Sequence, residues 1–280
     1  MTELTVQDQF RSEVRDGKRF EFGKNWASFL STLDDERIRV AEGSLKQMLG
    51  VETLEGKTFL DAGCGSGLFS LCARRLGAKV HSFDFDPSSV ACGMELRRRF
   101  FPDDPEWTIE QGSVLDKDYL GRLGQFDIVY SWGVLHHTGQ MWQALANVSD
   151  LVRPGGKLFI SIYNDQGIRS RMWWHVKRLY NHSALGKAAV CAVYIPWYFL
   201  LAIGSSIKRR SNAFKRYKEQ RGMSITHDWY DWLGGFPYEV AKIEDLFRFY
   251  RDRGFTLTDL ISTNSLGTNQ LVFKKDGKTG

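Results

Sequence analysis

The sequence predicts an α/β fold, a doubly wound and mostly parallel sheet with a helical insertion after its fifth strand. Three observations predict it. Short apolar runs alternate with amphipathic helical patterns from residue 58 to 162, which is the order of a parallel sheet with crossover helices. The first run enters Asp61-Ala62-Gly63-Cys64-Gly65-Ser66-Gly67, three glycines at every second position, as a buried strand does when it turns sharply into a helix. About seventy-five residues of different composition, far more than an ordinary crossover needs, separate the fifth run from a last helix, and two further runs, 255–261 and 270–273, follow that helix. The chain has 280 residues and is 42% hydrophobic, enough for one domain with an elaboration.

Residues 1–33 read as an N-terminal arm. Met1 to Phe10 has no apolar core, so no signal peptide is expected there. Phe10, Phe20, Phe22, Trp26 and Phe29 punctuate a charged segment that either packs on the domain or closes over it as a lid. Asp34 or Asp35 can cap a helix that turns Ile38, Val40, Ala41, Leu45, Met48 and Leu49 to one side. Thr58 opens the first strand, and helical spacing resumes at Leu68, so amides at the helix start face the glycine turn. A dinucleotide fingerprint requires its third glycine at position 68, where leucine stands. The Asp61 carboxylate also suits a cationic ligand better than a pyrophosphate.

The second strand, 78–83, ends at Asp84-Phe85-Asp86-Pro87, with a helix starting at Ser88 or Ser89. Asp84 lies 21 positions after Gly63, the spacing that sets a carboxylate beside the ribose of a bound nucleoside; Asp86, beside proline, reads as a turn residue. Residues 107–110 form a third strand leading to Ser113 and Val114. Residues 126–131 form a fourth, leading to Trp132 and the pair His136-His137. After a helix over 144–151, Arg153-Pro154-Gly155-Gly156 turns into strand five, 157–162. A helix over 239–253 and two last strands complete the sheet.

The acidic glycine-rich turn, the carboxylate ending strand two and the Pro-Gly-Gly before strand five together resemble the class I S-adenosylmethionine-dependent methyltransferases, over about residues 35–162 and 238–275. Within that family the chain is similar to the small-molecule branch typified by ubiquinone-biosynthesis O-methyltransferases. The resemblance implies a Rossmann-like, seven-stranded sheet whose last strand is antiparallel. It divides the chain into an arm (1–33), a cofactor-binding domain (34–164 and 236–280) and an insertion (165–235). It further implies S-adenosylmethionine as cofactor, with S-adenosylhomocysteine as product, held by Asp61, Gly63, Gly65, Gly67, Asp84, Phe85, Ser113, Val114 and Trp132. Ser113 stands where the family often has aspartate.

The insertion carries most of the charge asymmetry. Residues 165–221 hold twelve Lys or Arg against Asp165 and Glu219, a net +10 in a chain whose total is +5, and an anionic partner is expected. Within it, 188–207 is uncharged and flanked by Lys187 and Lys208-Arg209-Arg210. Its length would cross a bilayer, but a single crossing would place strands of one sheet on opposite sides of the membrane. Burial against its own domain or a second subunit is the favoured expectation. Peripheral contact through 188–210 with the inner face of a membrane is the alternative, and nucleic acid ranks third. The following segment, His227 to Gly235, reads as an acceptor-lining or packed loop.

Methyl transfer from a sulfonium needs a nucleophile aligned behind the methyl carbon and, for a hydroxyl, a base. His136 and His137 are the catalytic candidates, His136 being chosen as the base over His137; one of the two is expected instead to cap the next helix or satisfy backbone groups. Tyr163, Asn164, His227, Asp228 and Trp229 are acceptor-binding candidates. The four cysteines show no metal or disulfide spacing, so reduced thiols in a cytoplasmic protein and no metal are expected. Neither a Gly-x-Ser-x-Gly elbow nor a Walker loop is present, which removes hydrolase and phosphoryl-transfer readings. The expectation is therefore an S-adenosylmethionine-dependent transferase acting on an oxygen of a small or lipid-linked anionic acceptor. A non-catalytic cofactor-binding subunit and a nucleic-acid methyltransferase are the competing readings.

Overall fold

The computed structural model describes residues 5–23, 26, 30, 33–209 and 225–277. In chain order these form α1 (Val6–Arg15), α2 (Asp35–Leu49), β1 (Thr58–Ala62), α3 (Leu68–Arg75), β2 (Lys79–Asp84), α4 (Pro87–Phe100), β3 (Trp107–Gln111) and α5 (Lys117–Leu123). There follow β4 (Phe126–Trp132), a 3-10 turn over Leu135–His137, α6 (Met141–Asp150), β5 (Val152–Tyr163), α7 (Ile168–His182), α8 (Ala184–Arg209), α9 (Ile225–Gly234), α10 (Ile243–Arg251), β6 (Phe255–Ile261) and β7 (Thr268–Lys275). Phe29 of the arm lies outside the described residues.

The seven strands lie in the order β3-β2-β1-β4-β5-β7-β6. The first five are parallel, and β7 runs antiparallel to both its neighbours. Both faces of the sheet are covered, so its central strands are apolar at successive positions rather than alternate ones. Phe59 faces one core with Ile38, Leu45, Leu71 and Tyr130; the next residue, Leu60, faces the other with Val129, Ile160, Leu246 and Phe273. Each such side chain contributes about 1.5–3 kcal/mol by leaving water. Strand order reverses between β1 and β4, which opens a crevice at their carboxyl ends.

Local chemistry sets the boundaries. Asp34 caps α2, its side chain accepting from the Arg37 amide, and Gly50 ends it at φ 58°. Asp86 caps α4 with Pro87 in the first turn, the turn role its sequence suggests. Strand five begins five residues before the expected Lys157, because Val152 already pairs with Phe126 ahead of a register shift. The expected helix over 239–253 starts only at Ile243. The Ala241 amide donates to the Tyr163 carbonyl, and the Asp165 amide to that of Ala241, so 239–241 is held extended against the end of β5. The His227–Gly235 segment, expected as a loop, is helical in α9 up to Gly234.

The insertion is a helical pair, α7 and α8, with α9 packed on both. Its inner faces form a separate aromatic core of Trp173, Tyr180, Val190, Leu233 and Tyr238. Expected burial of the apolar stretch holds for one face of α8 only. Val190 and Ala202 are buried, while Leu185 is 81% exposed, Val193 65% and Ile207 73%.

Candidate active site

The crevice is built first from backbone. β1 delivers Gly63 at φ 86° and Gly65 at φ 53°, conformations that residues with a Cβ rarely adopt. Space is as decisive as angle: a Cβ on Gly63 would stand 2.4 Å from a Val134 methyl, and one on Gly65 would stand 3.2 Å from Trp26 Nε1. Gly67 is the N-cap of α3, with no side chain between the helix start and the turn.

Two carboxylates flank this turn in different ways. Asp61 lies beneath it, buried, and accepts from Ser70 Oγ at 2.5 Å. Ser70 in turn accepts from Ser82 Oγ, which accepts from Trp107 Nε1. Burial raises the Asp61 carboxyl to about 7, opposed by the Ser70 hydrogen bond and aided by repulsion from Asp84. Asp84 is half-buried at the end of β2, where Oδ2 accepts from the Gly65 amide at 2.9 Å and Oδ1 from the Asp86 amide at 2.8 Å. Burial raises it to about 6, against those two amides, which favour its charged form. A carboxylate can accept about four hydrogen bonds, so Asp84 retains capacity for two hydroxyls. Phe85 follows it, half-buried. Ser113 Oγ accepts from the Leu115 amide, and Asn147 Nδ2 holds the Val114 carbonyl. Trp132 stands exposed at the end of β4.

The N-terminal arm crosses this end of the sheet. Arg19 lies 4.6 Å over the Phe85 ring, is paired with Glu13 at 2.7 Å, and donates to the His137 carbonyl at 3.1 Å. The Gly23 amide donates to Asp86, and Phe10 meets Phe85 edge-on. Phe22 packs on His137 at 5.0 Å, and the Phe20 amide donates to the Phe236 carbonyl.

Beyond β4 the two histidine rings meet tilted at 59°, their centroids 4.4 Å apart; both are buried, yet they differ in their partners. His137 Nδ1 donates to the Pro237 carbonyl at 2.5 Å, and burial lowers its pKa to about 3. His136 Nδ1 has no hydrogen-bond partner among the described residues, while the ring bonds elsewhere to the backbone of Ser161. Burial holds His136 well below 6.5, with further depression from His137 and Lys177, so the imidazole is neutral. Ser161 Oγ is a second buried polar atom without a partner. Tyr163 packs on His136 at 4.2 Å.

The other acceptor-binding candidates divide. Asn164 is committed to structure, with Nδ2 donating to the Thr263 and Ser265 carbonyls. Trp229 packs on Tyr198 and Phe199 of α8 rather than beside the histidines. His227 and Asp228 lie in α9, and their side chains are outside the described residues. Sequence reasoning missed Arg19, Lys177 and Trp232. Lys177 is fully buried, donates to the Trp232 carbonyl, and lies 4.3 Å over the Trp232 ring and 5.0 Å over that of Tyr238. Burial lowers it to about 7, partly offset by Asp231. Its signal was hidden in a run of cations that reads as solvated surface; only its place on the inner face of α7 distinguishes it.

Comparison with known proteins settles the class. Residues 33–189, more than half of the chain, match a family model described as a methyltransferase domain. The chain belongs to the methyltransferase-domain family. Among curated relatives, this methyltransferase is 35% identical over 111 residues to a tRNA U34 carboxymethyltransferase of Pseudoalteromonas translucida, covering 39% of this chain and 33% of the relative. It is 31% identical over 137 residues to a ubiquinone biosynthesis O-methyltransferase of Methylocella silvestris, covering 49% and 51%. The chain thus spans between a third and about half the length of these relatives. Its fold is that of a magnesium protoporphyrin IX methyltransferase from Synechocystis PCC 6803 (TM-score 0.51, 16% identity, 85% of this chain and 83% of that one). The same holds for an O-methyltransferase family protein from Burkholderia thailandensis (TM-score 0.53, 13% identity, 87% and 58%). The resemblance to class I methyltransferases and the Rossmann-like sheet are both borne out.

The methyl donor of that class is S-adenosylmethionine, and the crevice fits it. The glycines let Val134, Trp26 and Gly93 close tightly on the turn, the helix start presents amides, and Asp84, bonded to the Gly65 amide, keeps acceptor capacity beside it.

Proposed function

We propose that this methyltransferase transfers a methyl group to an oxygen of a small or lipid-linked, anionic acceptor, acting in the cytoplasm at the inner face of the membrane. The observation that carries the oxygen assignment is the unpartnered, buried Nδ1 of neutral His136 at the carboxyl end of β4.

When bound, S-adenosylmethionine supplies an electrophilic methyl on a sulfonium. The residues that would hold it are Gly63, Gly65 and Gly67 with the start of α3, Asp84 for the ribose, and Phe85, Ser113 and Val114 around the base. Asp61 contributes from beneath by charge, and Trp132 borders the site. His136 Nδ1 accepts the hydrogen of the acceptor hydroxyl, and His137, fixed to Pro237, holds the neighbouring ring in place. Lys177 contributes positive charge close enough to depress both histidines, and the same charge favours an oxyanion in the acceptor. The arm acts as the lid, since Phe22 and Trp26 lie over the two ends of the site.

Two measurements test this reading. Calorimetry with S-adenosylhomocysteine on the purified chain should give saturable heat that Asp84→Ala removes. A labelled methyl group traced through a lysate should then appear in a small-molecule or lipid fraction, with His136→Ala abolishing the label. Heat without label in any fraction would mean a non-catalytic binding subunit, and label in RNA or DNA would overturn the acceptor class.

A further inference from the structure

Helix α8 is apolar on both sides, which a helix at a protein surface in water is not. Its inner stripe is accounted for: Val190 and Ala202 are buried, Tyr194 packs on Trp173 at 5.1 Å, and Tyr198 on Trp229 at 5.5 Å. The outer stripe, Leu185, Val193, Trp197, Leu200, Ile203 and Ile207, is exposed along the whole helix. Contiguous apolar exposure of this length marks an interaction surface rather than scattered surface hydrophobes.

We propose that α8 docks on an anionic lipid bilayer, lying in the plane of the interface with its outer stripe in the acyl boundary. Charge selects the occupant. Lys187 and Lys208 bound the stripe at its two ends, and apart from the buried Lys177 the sequence of residues 165–221 carries eleven cations against two carboxylates. Anionic headgroups neutralise such a positive segment, at about 1 kcal/mol for each Lys or Arg near the surface. A second copy of the chain on this face would instead bring a like-charged rim against its own. Crossing the bilayer is excluded by the inner stripe, which would have to leave Trp173 and Trp229, and by β5 and β7, which flank the insertion and pair in one sheet.

Docking in this way brings the acceptor end of the fold to the membrane. An unbroken run of ring contacts leads inward from α8: Tyr194 to Trp173 at 5.1 Å, Trp173 to Trp232 at 5.2 Å, Trp232 to Tyr163 at 5.6 Å, and Tyr163 to His136 at 4.2 Å. The docking inference stands on α8 alone and does not depend on the identity of the methyl acceptor.

The test is flotation of the full chain with phosphatidylcholine vesicles made with and without phosphatidylglycerol. The expected result is binding only to the anionic vesicles, reversed by salt. Leu200→Glu with Ile203→Glu should weaken it at least tenfold while leaving the heat of S-adenosylhomocysteine binding unchanged, which shows that the variant is folded. Independently of that variant, brominated acyl chains should quench the tryptophan fluorescence of the unaltered protein, and Trp197→Phe should remove most of the quenching without removing binding. Failure of the full chain to float with anionic vesicles overturns the proposal. So does a dimer in solution that the Leu200→Glu, Ile203→Glu variant splits. Either result leaves the methyl-transfer reading standing, because that reading is tested by cofactor heat and by label.

Discussion

The two ends of the crevice are built on opposite plans. The proposed cofactor end, from Asp61 to Val114, is made by residues close in sequence and is shaped by backbone: positive-φ glycines, a helix start, amides on Asp84. The proposed acceptor end is made by side chains from far-apart segments: Phe22 from the arm, the histidines after β4, Tyr163 from β5, Lys177 from α7 and Trp232 from α9. A backbone grip can serve one common donor in any member of the family, whereas a side-chain wall must be rebuilt for each acceptor. The difference teaches that the two halves should fail separately when altered.

The largest expected effect is on turnover. His136→Ala should lower kcat by about 10²–10⁴-fold, the usual contribution of a positioned base, while cofactor affinity stays within about twofold. Parallel single-turnover and calorimetric measurements check this; an equal loss of both would dissolve the distinction between the ends. Next in size, Asp84→Ala should weaken S-adenosylhomocysteine binding by about 10–100-fold, as removal of charge-assisted hydrogen bonds does.

A pH titration sharpens the same contrast. Ribose hydroxyls donate to the ionised form of Asp84, whose carboxyl is raised to about 6. Affinity for S-adenosylhomocysteine should therefore fall by up to about tenfold per unit below pH 6, in addition to a loss that begins near pH 7 as Asp61 takes up its proton. His136 and His137 are held neutral and should add no step between pH 6 and 8. Asp84→Asn should remove the step near pH 6 and leave the one near pH 7.

A separate effect is on stability. Lys177 is lowered to about 7 in the fold from 10.5, so the unfolded chain binds this proton more readily. Between pH 7 and about 10 the wild-type protein should gain stability relative to Lys177→Met as pH rises, by at most about 1.4 kcal/mol per unit. Below pH 7 the difference should level off, since both states are then protonated. Denaturant titrations of both proteins at pH 7, 8 and 9 measure it.

Sequence legibility follows the same divide. The glycine turn, Asp84 and the strand order of a doubly wound sheet could be read because spacing along one segment determines them. The partition of His136 and His137 could not, because it depends on where the Pro237 carbonyl arrives, a hundred residues away. Lys177 was invisible for a related reason: a lysine among arginines reads as surface until the helix face is known. The late start of α10 also lay beyond periodicity, since bonds between Ala241 and the end of β5 hold the preceding residues out of the helix.

Arg19 touches both ends, over Phe85 on one side and bonded to the His137 carbonyl on the other. On the proposed reading, in which the arm is a lid and His136 the base, the arm would not lift from the donor side without also loosening the acceptor side. Donor exchange and acceptor arrival would then share one door, and an exchange of the insertion alone would leave that door unchanged.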